Sequence, residues 1–86
     1  MKEVKPIHVT MSYVGKDNYA EVLSQETVLQ AVKLLAMKAF ELELLQESKY
    51  ALQFLNADQN EAKKLQTYQS DRLAFVLVLI EEPNKG

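Results

Sequence analysis

The 86-residue chain has no cysteine, no tryptophan, one histidine, one arginine, two glycines and two prolines. Without cysteine there are no disulfides, no thiolate metal sites and no thiol chemistry, which fits a reducing compartment. The two glycines, Gly15 and Gly86, lie in no phosphate-cradling loop, so P-loop and Rossmann nucleotide binding are excluded. A net charge of −2 argues against a nucleic-acid binder driven by phosphate neutralisation. The longest apolar run, 73–80, is far short of the roughly 20 residues of a spanning helix, and the N-terminus alternates instead of forming a signal-peptide core. These readings place a single domain, 1–86, in the cytoplasm, with no membrane partner.

Between Lys16 and Glu82 there is neither glycine nor proline. Few turn-rich β domains tolerate such a gap, so the middle of the chain reads as helical. The stretch 27–55, TVLQAVKLLAMKAFELELLQESKYALQFL, combines strong helix formers with apolar residues at steps of three and four. Thr27 followed by Gln30 fits a capping box, and Asn56 fits a left-handed stop. Residues 19–25 fit either an earlier helical turn or a separate short helix. Asp58 with Glu61 makes a second capping box, opening a helix over 58–82 that Pro83 stops, with 83–86 a frayed tail.

Ahead of these, Ile7, Val9, Met11 and Tyr13 alternate with His8, Thr10 and Ser12, the period of a half-buried strand or arm over 7–14. The expected fold is therefore all-α in bulk: a long antiparallel helical hairpin with one N-terminal strand or arm, assembled as a helical bundle. The alternative is α+β, with 72–80 a buried strand pairing with 7–13, because an apolar run holding Val76, Val78 and Ile80 suits a strand as well as a helix.

The hairpin register sets Arg72 level with Glu41, predicting a half-buried ion pair between them. The apolar stripe is wider than one partner helix covers. Leu34, Met37, Leu44, Leu77 and Leu79 are thus expected at an oligomer interface, most simply of a homodimer.

Candidate chemistry is sparse. His8, on the polar side of its strand, has no evident nucleophile among Ser24, Ser48 and Ser70. Glu41, Glu43, Glu47 and Asp71 lack the histidines that helical dimetal sites use, so no metal or other cofactor is expected. Phe40, Phe54, Phe75 and Tyr68 fall at core positions. The functional expectation is a non-enzymatic intracellular accessory or regulatory module that binds an unidentified protein partner as a small helical homo-oligomer. The alternative is a small nucleic-acid-binding regulator whose hairpin tip carries Lys49, Lys63, Lys64, Tyr50 and Tyr68.

Overall fold

The computed structural model describes residues 5–80. Its elements are β1 (Pro6–Ser12), β2 (Tyr19–Ser24), α1 (Leu29–Ala39), a 3-10 turn at Leu44–Lys49, β3 (Tyr50–Phe54), β4 (Ala57–Asp58), a second 3-10 turn at Leu65–Tyr68 and β5 (Arg72–Leu79). The five strands form one mixed sheet in the order β2-β1-β5-β3-β4, with β1 and β5 parallel and the other pairs antiparallel. The architecture is thus α+β, which overturns the helical hairpin and its bundle. The pairing of β5 with β1 follows the alternative arrangement, and in place of the expected helix over 58–82 the chain holds the end of β4, the second 3-10 turn and β5. The expected frayed tail, 83–86, lies outside the described residues.

The core forms between one face of the sheet and α1. Ile7, Val9 and Met11 of β1, Leu73, Phe75 and Leu77 of β5, and Tyr50 and Leu52 of β3 meet Leu29, Val32, Ala36 and Met37 of the helix, with Phe40 and Leu65 closing the ends. In each strand these residues sit two apart, so one pleated face is buried. Phe54, Tyr68 and Phe75 pack with ring centroids 4.9–5.6 Å apart along the β4 side of the core.

Only 29–39 of the expected helix 27–55 is α-helical, and both ends are set by tertiary contacts. No side-chain cap bonds the N-terminus. The Leu29 and Gln30 amides instead donate to the carbonyls of Lys63 and Glu61, at 2.8 and 2.9 Å, which satisfies helix-start donors that a capping box would have served. At the other end Glu41 takes a positive φ of 62°, its amide donates to Lys38 O and the Leu42 amide to Met37 O. This pair of hydrogen bonds is a Schellman stop with glutamate where glycine is usual. Beyond it the chain turns into β3, whose Tyr50, Leu52 and Phe54 point inward. The expected cap pair Asp58 and Glu61 is separated, Asp58 lying in β4.

The tight turns are equally telling. Gly15 (φ 79°) stands third in the Tyr13–Lys16 turn, which the Lys16 amide closes on Tyr13 O at 3.1 Å, a place that needs positive φ. The β3–β4 hairpin turns on Leu55 (φ 54°) and Asn56 (φ 68°), two left-handed residues in succession, as a twisted two-residue hairpin demands.

Inside the fold, Lys33 of α1 is only 2 % exposed. Its ammonium lies 2.7 Å from Glu61 and 3.0 Å from Glu47 and donates to Tyr50 O at 3.1 Å. Burial pulls its pKa down, but the bonds to Glu61 and Glu47 outweigh that, and it stands above the usual lysine value of 10.5. Burial also raises the phenols of Tyr50 and Tyr68, that of Tyr50 with help from a hydrogen bond to Tyr13.

Three measurements test this account. Leu55→Gly and Glu41→Gly each relieve left-handed strain and should raise stability by about 0.5–1 kcal/mol in urea unfolding; Leu55 is 82 % exposed, so little packing is lost. Glu47→Gln and Glu61→Gln should cost about 1 kcal/mol singly, since each leaves Lys33 one carboxylate, but about 3 kcal/mol together, when the ammonium has none. Additive losses would contradict the shared-charge reading. Because the Lys33, Tyr50 and Tyr68 values are raised on folding, their stabilisation is whole below the unfolded values near 10 and is lost as the pH climbs through the folded ones. Thermal melts across pH 8 to 12 should show that alkaline loss.

Candidate functional site

The face of the sheet turned away from α1 is packed by no described helix or strand, although Ala51 on it is buried and Val78 half-buried. Strand alternation assigns it Ala20 and Val22 of β2, His8, Thr10 and Ser12 of β1, and Arg72, Ala74, Val76 and Val78 of β5. Ala51 and Gln53 of β3 and Asp58 of β4 complete it. The registers set His8 between Val22 and Arg72, Thr10 between Ala20 and Ala74, and Val76 between Ser12 and Gln53.

Short apolar residues flank the polar row that His8, Thr10 and Ser12 make along β1. Val22 is 54 % and Val76 43 % exposed, and Ala20 and Ala74 are exposed as well. Charge is confined to the ends. His8 and Arg72 stand side by side at one end, and Asp58, accepting from Gln53 Nε2 at 2.9 Å, stands at the other. Because Thr10 and Ala20 are small, a shallow depression of about 240 Å³ lies among His8, Val9, Thr10, Ala20, Glu21, Val22 and Arg72, so an acidic residue lines it as well as the arginine. At the β2 edge the Tyr19 hydroxyl bonds the Glu21 carboxylate, an interaction that raises the phenol's pKa.

A larger open groove, about 620 Å³, lies at the start of β1 between Lys5, Gln25, Gln66, Gln69, Ser70 and Asp71. Pro6 and Ile7 line it as well, and its one hydroxyl, Ser70, has no hydrogen bond to a side-chain base that would activate it. Ser70 Oγ is occupied by the backbone of Arg72, donating to its carbonyl at 2.9 Å and accepting from its amide at 3.2 Å. Ser24 Oγ accepts from the Glu26 amide. No hydrogen bond joins His8 to Ser24, Ser48 or Ser70 among the described residues. Nor does any group of three or more histidine and acidic side chains gather there as a metal site.

The residues singled out from the sequence are dispersed. Arg72 is exposed at the start of β5 and Glu41 is exposed at the stop of α1. The ion pairs among the described residues are Lys33 with Glu47 and Glu61, and Lys64 with Glu26 at 3.9 Å, so the expected Arg72–Glu41 pair is absent. Its register belonged to a hairpin that does not form.

Of the expected oligomer interface, Met37 and Leu77 are core residues, Leu34 is half-buried, and only Leu44 and Leu79 are exposed. The surplus apolar surface that called for a second copy is largely covered by the sheet itself. The basic aromatic tip likewise dissolves. Tyr50 is buried, and Tyr68 packs on Phe54 and Phe75 and donates to Gln59 Oε1 at 2.6 Å. Lys63 rests over the Tyr68 ring, Lys64 faces Glu26, and Lys49 lends its carbonyl to the Ile80 amide. No free aromatic pair remains there for bases to stack on.

Sequence reasoning missed Ala20, Val22, Ala74 and Val76. The one signal was an alternation of size: Leu73, Phe75 and Leu77 interleave with Ala74, Val76 and Val78, larger residues inward and smaller ones outward.

No helix of the described residues is long and apolar enough to cross a membrane. No protein-family model matches the sequence, and no curated protein matches it. Solved structures do. A Caldiarchaeum subterraneum ubiquitin superposes with a TM-score of 0.74 at 14 % identity, covering 95 % of this chain and 100 % of its own. The N-terminal ubiquitin-like domain of the 4931431F19Rik protein gives 0.70 at 14 % identity, over 98 % and 84 %. A structure titled for molecular mimicry of SUMO that promotes DNA repair gives 0.73 at 9 % identity, over 91 % and 96 %. At such identities the likeness is one of architecture: a five-stranded sheet grasping one helix, the ubiquitin-like fold.

Proposed function

We propose that this protein is a non-enzymatic, intracellular interaction module that works by offering the outer face of its sheet to another protein. The observation carrying this reading is the set of small apolar residues that face exposes, Ala74 and Val76 on central β5 and Ala20 and Val22 on β2, lying on either side of the His8, Thr10 and Ser12 row of β1. An ordinary solvated sheet face carries polar residues on its central strands, whereas β5 exposes Ala74 and Val76, and exposed apolar surface of this kind marks interaction sites. The structural neighbours, a ubiquitin and a structure of SUMO mimicry among them, agree with a module that acts through contact.

Size decides what kind of contact this is. Five strands at about 4.8 Å spacing and some 20 Å of strand length give a face of roughly 400 Å². A stable interface takes roughly 800 Å² from each partner, so the face alone suits reversible binding rather than a permanent assembly.

A charge placed among these apolar residues should abolish binding without unfolding the domain. Affinity capture from the native cell with wild type, Val76→Glu and Lys38→Glu on the exposed side of α1 is the test. The same protein should be retained by wild type and Lys38→Glu and lost with Val76→Glu, whose stability should change by no more than about 0.5 kcal/mol. Equal retention by all three, or none by wild type, would reject the face.

A further inference from the structure

β2 is the outermost strand on its side of the sheet, paired with β1 and with no described strand beyond. Successive residues of a strand turn their amides and carbonyls to opposite edges. The His8 amide donates to Asp71 O, so the even residues of β1 bond toward β5. The odd ones, Ile7, Val9 and Met11, bond Leu23, Glu21 and Tyr19. The amides and carbonyls of Ala20 and Val22 therefore point out of the sheet, and no hydrogen bond reaches them among the described residues.

Natural edges are blunted by proline, lysine, a bulge or a covering element. The strand YAEVLS holds no proline or lysine, its register with β1 runs unbroken, and no described element pairs with its outer edge. Four free backbone groups spaced along one strand are matched in full by another extended chain.

The one charge on β2 selects among such chains. Glu21 shares the α1 side of the strand with Tyr19 and Leu23, as its bond from the Tyr19 hydroxyl requires, while Ala20 and Val22 lie on the outer side. An antiparallel second copy of β2 that satisfies every free group sets Ala20 against Val22 and Glu21 against its own copy. That last pair is of the narrow kind, with Cα atoms about 4.5 Å apart, and like charges so placed repel. Nearby charges do not cancel this: Lys16 and Asp17 offset each other before the strand, Glu26 faces Lys64 at 3.9 Å after it, and His8 and Arg72 lie on the outer side.

We propose that the β2 edge adds an antiparallel, extended segment of a partner protein whose central residue is basic, with an aliphatic residue on each side. The order follows from strand alternation. The lysine or arginine stands opposite Glu21 on the α1 side, and its two neighbours, both on the outer side, lie beside Ala20 and Val22 and exchange main-chain hydrogen bonds with them. This goes beyond the outer-face reading, because Ala74 and Val76 are on β5, two strands away.

The probe is acetyl-Thr-Val-Lys-Val-Thr-amide, titrated to millimolar concentration into the ¹⁵N-labelled domain. Acetyl-Thr-Val-Glu-Val-Thr-amide and the lysine peptide N-methylated at both valines run in parallel. In the free domain the Ala20 and Val22 amides should exchange with solvent at least about tenfold faster than those of Glu21 and Leu23. The lysine peptide should shift the β2 amides in a saturable way and slow exchange at Ala20 and Val22. Glu21→Gln should weaken it about threefold, the size of one cross-strand charge pair, and the glutamate peptide should bind about tenfold more weakly. N-methylation removes both peptide donors and should abolish binding. Val76→Glu should keep the lysine peptide within about twofold, a distance-screened effect.

Slow exchange at Ala20 and Val22 in the free monomer, undiminished binding of the methylated peptide, equal affinity for the two charged peptides, an unchanged affinity in Glu21→Gln, or no shifts at millimolar peptide would each overturn the proposal. A dimer in sedimentation equilibrium with Ala20 and Val22 protected would overturn it in favour of a second copy. Loss of the peptide in Val76→Glu would assign its binding to the outer face instead. Since Val76→Glu probes the face and Glu21→Gln the edge, either reading can fail alone.

Discussion

A buried ammonium must be compensated from every side that packs on it, and Lys33 draws four parts of the chain to one point to do so. It sits on α1, takes a carboxylate from the turn before β3, another from the loop after β4, and a backbone carbonyl from β3 itself. Glu61 is tied twice, its carboxylate to Lys33 and its carbonyl to the Gln30 amide. The loop that carries it thereby also completes the start of the helix. Specificity is the gain from such an arrangement, since an apolar residue would accept many packings and a charge accepts few.

With the helix fixed on one side, the sheet is left two-faced. The inner face carries Leu73, Phe75 and Leu77 against α1, and the outer face carries the shorter Ala74 and Val76 against solvent. Central strands β1 and β5 have both edges paired, so their backbones are satisfied and only side chains remain to recognise anything. What distinguishes the outer face is therefore side-chain chemistry: short apolar residues on β5 and β2 around a polar row on β1, two donors at one end and a carboxylate on the far edge strand.

Part of this was legible in the residues. The alternation through Ile7, Val9 and Met11 marks β1, and the same run offered 72–80 as its partner in the α+β arrangement. The favoured helical hairpin failed for physical reasons. Leu, Ala, Gln and Glu in 44–55 carry high helix propensity, but β3 gains the ladder with β5 and seats Tyr50 and Leu52 in the core, which outweighs a propensity of a few tenths of a kcal/mol per residue. Glycine was the missing stop signal, because Glu41, Leu55, Asn56 and Gln69 adopt positive φ in its place. In β5 both faces are apolar, so the polar alternation that betrays a strand was absent. The same property that hid the strand makes its outer face a candidate site.

The parallel pairing of β1 with β5 joins His8 to Arg72, 64 residues apart in the chain. During synthesis β1 is therefore made early and waits, one edge held by β2 and the other bare, until β5 emerges. At 5–20 residues per second that interval is on the order of 3–13 s. Through it the nascent chain carries an open strand edge beside an unfinished core, a period in which a holdase or a neighbouring nascent chain can reach β1 before its native partner does.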